Sequence, residues 1–299
     1  MDIFASFWKY FVEPSDKKRM SQLPLPRGIK EHIDIPYIDD GNRYHKLDVY
    51  YPESTTGKLP VIIDIHGGGW MYGDKELNKP YCLYLADRGY VVFSMSYRLV
   101  PEVTAIDQIR EVSLALKKIE EIMLDYPCDT NRIFITGDSA GGHLCAYAVA
   151  LNGCKKAAQA FGFEQNGMVF RAAALTSPVA YIQPVGIMGV YFKQVLPKNY
   201  DVQQYTKYLD FDKLLEETVM PPTFVVTSSG DTVGHDQSVR IAEAISKTGT
   251  KTKLCDWGKY EGKALPHVFS VVSPETIAGA QSITDMLDFF DECCNTVTV

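Results

Sequence analysis

The chain has 299 residues, 46% of them apolar, and its 30 Lys and Arg against 37 Asp and Glu leave a formal charge of −7. That length suits a single α/β domain, residues 1–299, with a large core. The acidity argues against a nucleic-acid partner, because a phosphate backbone needs clustered cations, and the longest basic run, Lys17-Lys18-Arg19, reads as a solvated helix end.

At the N-terminus, Phe4, Phe7, Trp8 and Phe11 fall at helical spacing. A helix packed on the protein itself is expected there in preference to one lying on a membrane surface. Asp2 and Lys9 interrupt the apolar stretch that a secretory signal would need. No run reaches the roughly 20 apolar residues of a membrane span. The seven cysteines are odd in number and contain no C-x-x-C pair. Reduced thiols in a cytoplasm are the expectation, with Cys145 a small core residue.

From there strands and helices alternate. Residues 45–51 and 60–66 read as strands, the first alternating polar and apolar, the second nearly all apolar as a buried strand should be. Thr55-Thr56-Gly57-Lys58 is turn material between them. A short helix is predicted over 80–88 and a buried strand over 90–96. The next helix carries Ile109, Val112, Leu116, Ile119 and Met123 on one face, with Thr104 and Asp107 spaced as a capping box. Strands are predicted at 132–136, 172–177, 223–227 and 251–257, and helices at 139–152 and 235–248. Ser273-Pro274 is expected to open the last helix, with Ile277, Ala280, Ile283, Leu287 and Phe290 facing inward. Such alternation implies βαβ units and a mostly parallel, doubly wound sheet. Two stretches break it, 1–30 and the aromatic segment 181–217 with Pro184 and Pro197, and both are candidate cap segments over the sheet's C-terminal edge.

The chemistry concentrates at few places. Gly137-Asp138-Ser139-Ala140-Gly141-Gly142 contains G-x-S-x-G between a buried strand and a helix. A sharp strand-to-helix turn projects the serine into the cleft, and side chains two residues before or after it would clash. Ser139 is therefore the expected nucleophile. His66-Gly67-Gly68-Gly69-Trp70 follows a strand, where bare backbone N–H groups can meet a substrate oxygen. His66 is expected to shape that loop, and Trp70 to line the pocket or pack. In chain order an acid and then a base should follow the serine. Asp231 follows a strand and a Gly230 turn, and His267 lies in a loop before the last helix. These two are preferred over Asp236 and His235, which sit at or inside a helix, while His143 is expected to be a buried, satisfied histidine.

With HGGGW, YRLVPE (Tyr97 to Glu102), GDSAGG, Asp231-x-x-x-x-Asp236 and HVF (His267 to Phe269) in this order, the chain resembles the hormone-sensitive-lipase-like group of α/β-hydrolases, especially its small microbial esterases. The resemblance covers roughly residues 45 to 290. It implies an eight-stranded sheet flanked by helices under a helical cap, and the triad Ser139, Asp231 and His267. It implies Gly68, Gly69 and Ala140 N–H groups as the oxyanion hole, and an Arg98–Glu102 arrangement supporting the site. The chain departs from the family pattern at Thr232-Val233 after the acid, where Pro-Leu is usual, and in its long charged loop Gly258 to Pro266. The implied activity is hydrolysis of short acyl esters, acetyl esters included, on a small-molecule substrate. The alternatives are a lipase for longer chains or a non-catalytic binding protein on the same fold. No metal or organic cofactor is implied, since no H-E-x-x-H and no Cys/His cluster at ligand spacing occurs.

Overall fold

A computed structural model describes residues 3–182 and 189–295. Eight strands form one sheet in the order β1-β2-β4-β3-β5-β6-β7-β8. They are β1 (Ile29–Pro36), β2 (Lys46–Pro52), β3 (Leu59–Ile65), β4 (Val91–Met95), β5 (Cys128–Asp138), β6 (Phe170–Thr176), β7 (Thr223–Ser228) and β8 (Thr252–Trp257). β1 and β2 join antiparallel, and the strands from β4 through β8 run parallel. This is the α/β-hydrolase fold, and the predicted strands and principal helices lie within a few residues of their expected ends.

Period-two alternation explains the two core layers. Val61, Ile63 and Ile65 of β3 and Ile133 and Ile135 of β5 pack on one face, with Ile109, Val112 and Leu116 of the helix Ala105–Ile122. Ile62 and Phe134 point to the other face, where they meet Leu85 and Phe290. Phe134 and Phe290 stack there with centroids 4.3 Å apart. Cys145 is buried in the first layer. The capping box forms as read: Thr104 and Asp107 exchange side-chain and backbone bonds at the start of Ala105–Ile122.

Several expectations need correction. β1 pairs at the sheet edge from Ile29 onward, so the end of the 1–30 segment belongs to the sheet. The last helix starts at Ile277, which is 71% exposed, and its buried face runs through Ala278, Ile283, Met286, Phe289 and Phe290. The Lys17-Lys18-Arg19 run does end a helix, Glu13–Met20, but Arg19 is partly buried and donates to the Val272 carbonyl at 2.5 Å. Arg98 pairs with Glu111, not Glu102: its Nε lies 2.5 Å from Glu111 Oε1 and its backbone N–H 2.8 Å from Oε2. Glu102 is exposed, whereas Glu111 is buried on the core helix next to the Arg98 turn.

Over the C-terminal ends of the strands lie two groups of helices. Ile3–Phe7, the π-helical Trp8–Val12 and Glu13–Met20 form the first. Gly189–Val195 and Phe211–Leu215 belong to the second. The stretch 183–188, with Pro184, lies outside the described residues, as do residues 1 and 2.

Candidate active site

Ser139 directly follows β5 and caps the helix Ala140–Gly153 with φ 51° and ψ −116°, a conformation few side chains tolerate. The flanking glycines explain how the turn closes. A Cβ on Gly137 would lie 2.4 Å from the Gly141 carbonyl oxygen, and one on Gly141 2.1 Å from that of Ile65. Bonds from Ser139 N–H to the Thr176 carbonyl (2.9 Å) and from Val179 N–H to the Ser139 carbonyl (3.1 Å) hold the elbow. Ala140 is the first helical residue, so its N–H has no carbonyl of its own helix to reach.

Ser139 Oγ lies 2.9 Å from His267 Nε2, and His267 Nδ1 lies 2.8 Å from Asp231 Oδ1. Asp231 is buried at the end of β7. The same Oδ1 accepts the Val233 and Gly234 N–H groups at 3.0 and 2.8 Å, and Thr227 donates to Oδ2 at 3.3 Å. Burial would raise this carboxyl, but hydrogen bonding and charge interaction with His267, with the Gly234 N–H, outweigh it and hold the pKa near about 2. Asp231 is thus a fixed anion. His235 and Asp236 stand apart: His235 pairs with Asp236 and Asp256, and Asp236 is fully exposed at the cavity rim. His143 is buried, accepts from Trp70 Nε1 at 3.4 Å, and is depressed by desolvation to about 3.

The glycine loop is pinned from behind. In a trans peptide the carbonyl and the following N–H point in opposite directions. The Gly67 carbonyl accepts from His66 Nδ1 (2.8 Å) and from Tyr97 Oη (3.2 Å), so the Gly68 N–H points the other way. His66 stacks on Tyr97 at 4.3 Å and stays neutral, burial lowering it to about 4. The Gly68 carbonyl accepts from Met71 and Tyr72 N–H groups at 3.1 and 3.0 Å, which likewise sets the Gly69 N–H. Gly68 and Gly69 line the same cavity as Ser139 and His267. Gly68 has φ +103°, and a Cβ there would sit 2.0 Å from the Tyr72 carbonyl oxygen.

Sequence reasoning missed the polar tie beneath the site. Asp138 Oδ1 accepts the Gly67 N–H at 2.9 Å and Asn78 Nδ2 at 2.8 Å, joining the elbow to the glycine loop. Asn78 also donates to Asp64 Oδ2 at 3.1 Å, so one amide bridges two buried carboxyls. Burial and then the charge of Asp138 push Asp64 up to about 8, and burial also raises Asp138. The signal was present: Asp138 adjoins the nucleophile, and Asp64 is a lone acid in an apolar strand.

These groups open into a cavity of about 930 Å³, within the range usual for small-molecule sites. One wall is aromatic, from Phe4, Phe7, Trp8, Tyr72 and Tyr191; the other carries Tyr181, Gln237 and Arg240. Trp70 does both things considered for it, lining the cavity while only 2% exposed.

The BD-FAE family model matches residues 47–210, slightly more than half of the chain, a span that holds the glycine loop and Ser139 but neither Asp231 nor His267. The chain belongs to the BD-FAE family. Among curated relatives, it is 24% identical over 236 residues to a probable isoprenylcysteine alpha-carbonyl methylesterase of Arabidopsis thaliana, covering 75% of this chain and 49% of that protein. It is 37% identical over 150 residues to a probable carboxylic ester hydrolase, LipM, of Mycobacterium tuberculosis, covering 48% of this chain and 35% of that one. The chain thus spans about half or less of the length of these relatives. Esterase B of Lactobacillus rhamnosis, in a crystal structure with a C4-C4 SN3 tributyrin phosphonate, superposes with a TM-score of 0.91 at 28% identity, covering 97% of this chain and 94% of that chain. Among the described residues no helix is long and apolar enough to cross a membrane.

Proposed function

We propose that the protein is a serine carboxylesterase that hydrolyses short acyl esters, acetyl esters included, through a covalent acyl-enzyme. The observation that carries this is the 2.9 Å approach of Ser139 Oγ to His267 Nε2, with Nδ1 held by the Asp231 anion. His267 takes the Ser139 proton as Oγ attacks the ester carbonyl. Asp231 sets the tautomer and balances the imidazolium. Gly68, Gly69 and Ala140 N–H groups receive the oxyanion, and the helix that Ser139 caps adds its positive end. His267 then returns its proton to the leaving alcohol and activates water for deacylation.

The short-acyl reading is supported by the relationship to an esterase whose bound phosphonate derives from tributyrin, and by the aromatic wall crowding the glycine loop. The segments 1–30, up to β1, and 181–217 act as the cap of one domain. All seven cysteines are free thiols, which suits a reducing compartment and the cytoplasm. A series of p-nitrophenyl esters from acetate to palmitate tests the substrate class. The expected outcome is the highest kcat/KM between acetate and butyrate and a steep loss by octanoate. A maximum at palmitate would replace this reading with a long-chain lipase.

A further inference from the structure

A side chain held at positive φ needs a reason, since glycine takes that conformation at far lower cost. Among the described residues six do so, and three of them surround the triad: Ser139 at φ 51°, Ser177 at 46° and Val268 at 52°. Ser139 is the nucleophile and Val268 follows the base, but Ser177 has no part in the chemistry so far. It directly follows β6 and is only 1% exposed. Its backbone N–H donates to the Val226 carbonyl at 2.7 Å, a bond that a glycine would make equally well.

The Ser177 hydroxyl has two neighbours. Val268 N–H donates to Ser177 Oγ at 3.3 Å. That N–H belongs to the peptide joining His267 to Val268, so the bond holds the backbone on which the imidazole is mounted. The hydroxyl keeps its own proton to give. Asp231 receives it, and this bond is one of those that hold the carboxyl ionised. Ser177 and Asp231 meet across Gly234, where a Cβ would lie 2.7 Å from the Ser177 carbonyl oxygen and 2.9 Å from Asp231 Oδ2.

We infer that Ser177 is a positioning residue of the triad: its hydroxyl ties the acid Asp231 to the backbone behind the base His267, so that the two keep one alignment as the imidazole gains and loses its proton. This rests on the esterase reading above. The bond from Nδ1 to Asp231 leaves acid and ring free to tilt about each other, and the Ser177 bridge limits that freedom from the backbone side.

Ser177→Gly suits the backbone and deletes the hydroxyl. It should fold with a thermal midpoint within about 4 °C of the wild type, the scale of one lost hydrogen bond. On p-nitrophenyl acetate kcat should fall about three- to tenfold, with KM little changed. The acidic limb of kcat/KM should also move to higher pH by roughly half a unit, because Asp231 loses a donor and more of its charge faces the imidazolium. Asp138, another acid that interacts with His267, is unaltered in the variant. Ser177→Ala should show the same two changes at a greater cost in stability, and it decides the matter if the glycine variant does not fold. A folded variant with wild-type kcat overturns the inference, as does one whose kcat falls while the acidic limb stays in place or moves down. Ser139→Ala run alongside separates the two readings, since full turnover by that variant would remove the esterase reading itself.

Discussion

Ser139, Asp231 and His267 are carried by the buried sheet, whereas Trp8 and Tyr191 come from helices that lie across it. The first group is fixed redundantly. Asp231 alone accepts two backbone N–H groups, a threonine hydroxyl and the imidazole. The elbow leaves no room for a side chain at Gly137 or Gly141. The roof is held through aromatic contacts and separate hydrogen bonds, among them Tyr191 Oη to the Gly69 carbonyl and Arg19 to the Val272 carbonyl. On the proposed reading, chemistry that tolerates no error sits on the sheet, and selection among substrates is left to elements that can change without unfolding it.

The sharpest way to break this contrast is Asp231→Asn. It keeps the shape and removes the anion, so the imidazole tautomer is mis-set, and a drop in kcat of about ten thousand-fold is expected by analogy with a serine protease. Asp236→Asn, at the exposed rim, should leave kcat within about twofold, the scale of exposed ion pairs. Steady-state assays of both variants on one ester decide, and the reverse order of effects would make Asp236 the acid.

Removing residues 1–20 strips Phe4 and Trp8 from the cavity wall but touches neither the sheet nor β1. A folded, cooperatively melting variant with kcat/KM lowered on the order of tenfold and a broader acyl-length profile is expected, from loss of the wall that crowds the acyl chain. An unchanged profile would show that this segment is no part of the pocket.

The smallest effect concerns the carboxyl pair under the site. Free aspartate titrates near about 4, and Asp64 in the fold near about 8. Between those values the folded chain keeps a proton that the unfolded chain has released, so Asp64 makes stability fall as pH rises through that window. Asp64→Asn carries no such proton. Its thermal midpoint should therefore drop less between pH 5 and pH 9 than that of the wild type, by roughly 2–4 °C for each kcal/mol recovered. Parallel melting curves with identical pH slopes would contradict a protonated Asp64.

The same contrast governs what could be read without coordinates. Buried parallel strands announce themselves as apolar runs such as Val61 to Ile65, and the elbow announces itself through glycines that no other residue can replace. β1, Ile-Lys-Glu-His-Ile-Asp-Ile-Pro, is an edge strand with its side chains half in water, so no clean alternation marks it. The short helix Lys155–Phe161 follows Gly153 within two residues and carries too few turns for a periodic signal. The Arg98 partner was misplaced because Glu102 is near in sequence, while Glu111 is brought near only by the helix Ala105–Ile122 packing against the strand ends. Tyr191 carried no signal, since a tyrosine amid an aromatic segment meets the Gly69 carbonyl only once the chain is folded.

The most direct test of the central claim is to label the protein with a fluorophosphonate and locate the adduct by peptide mass spectrometry. The account predicts one stoichiometric adduct on Ser139, formed in step with loss of esterase activity and absent in His267→Ala at matched times. Complete inhibition with the adduct on another residue, or undiminished turnover by protein fully modified at Ser139, would contradict it.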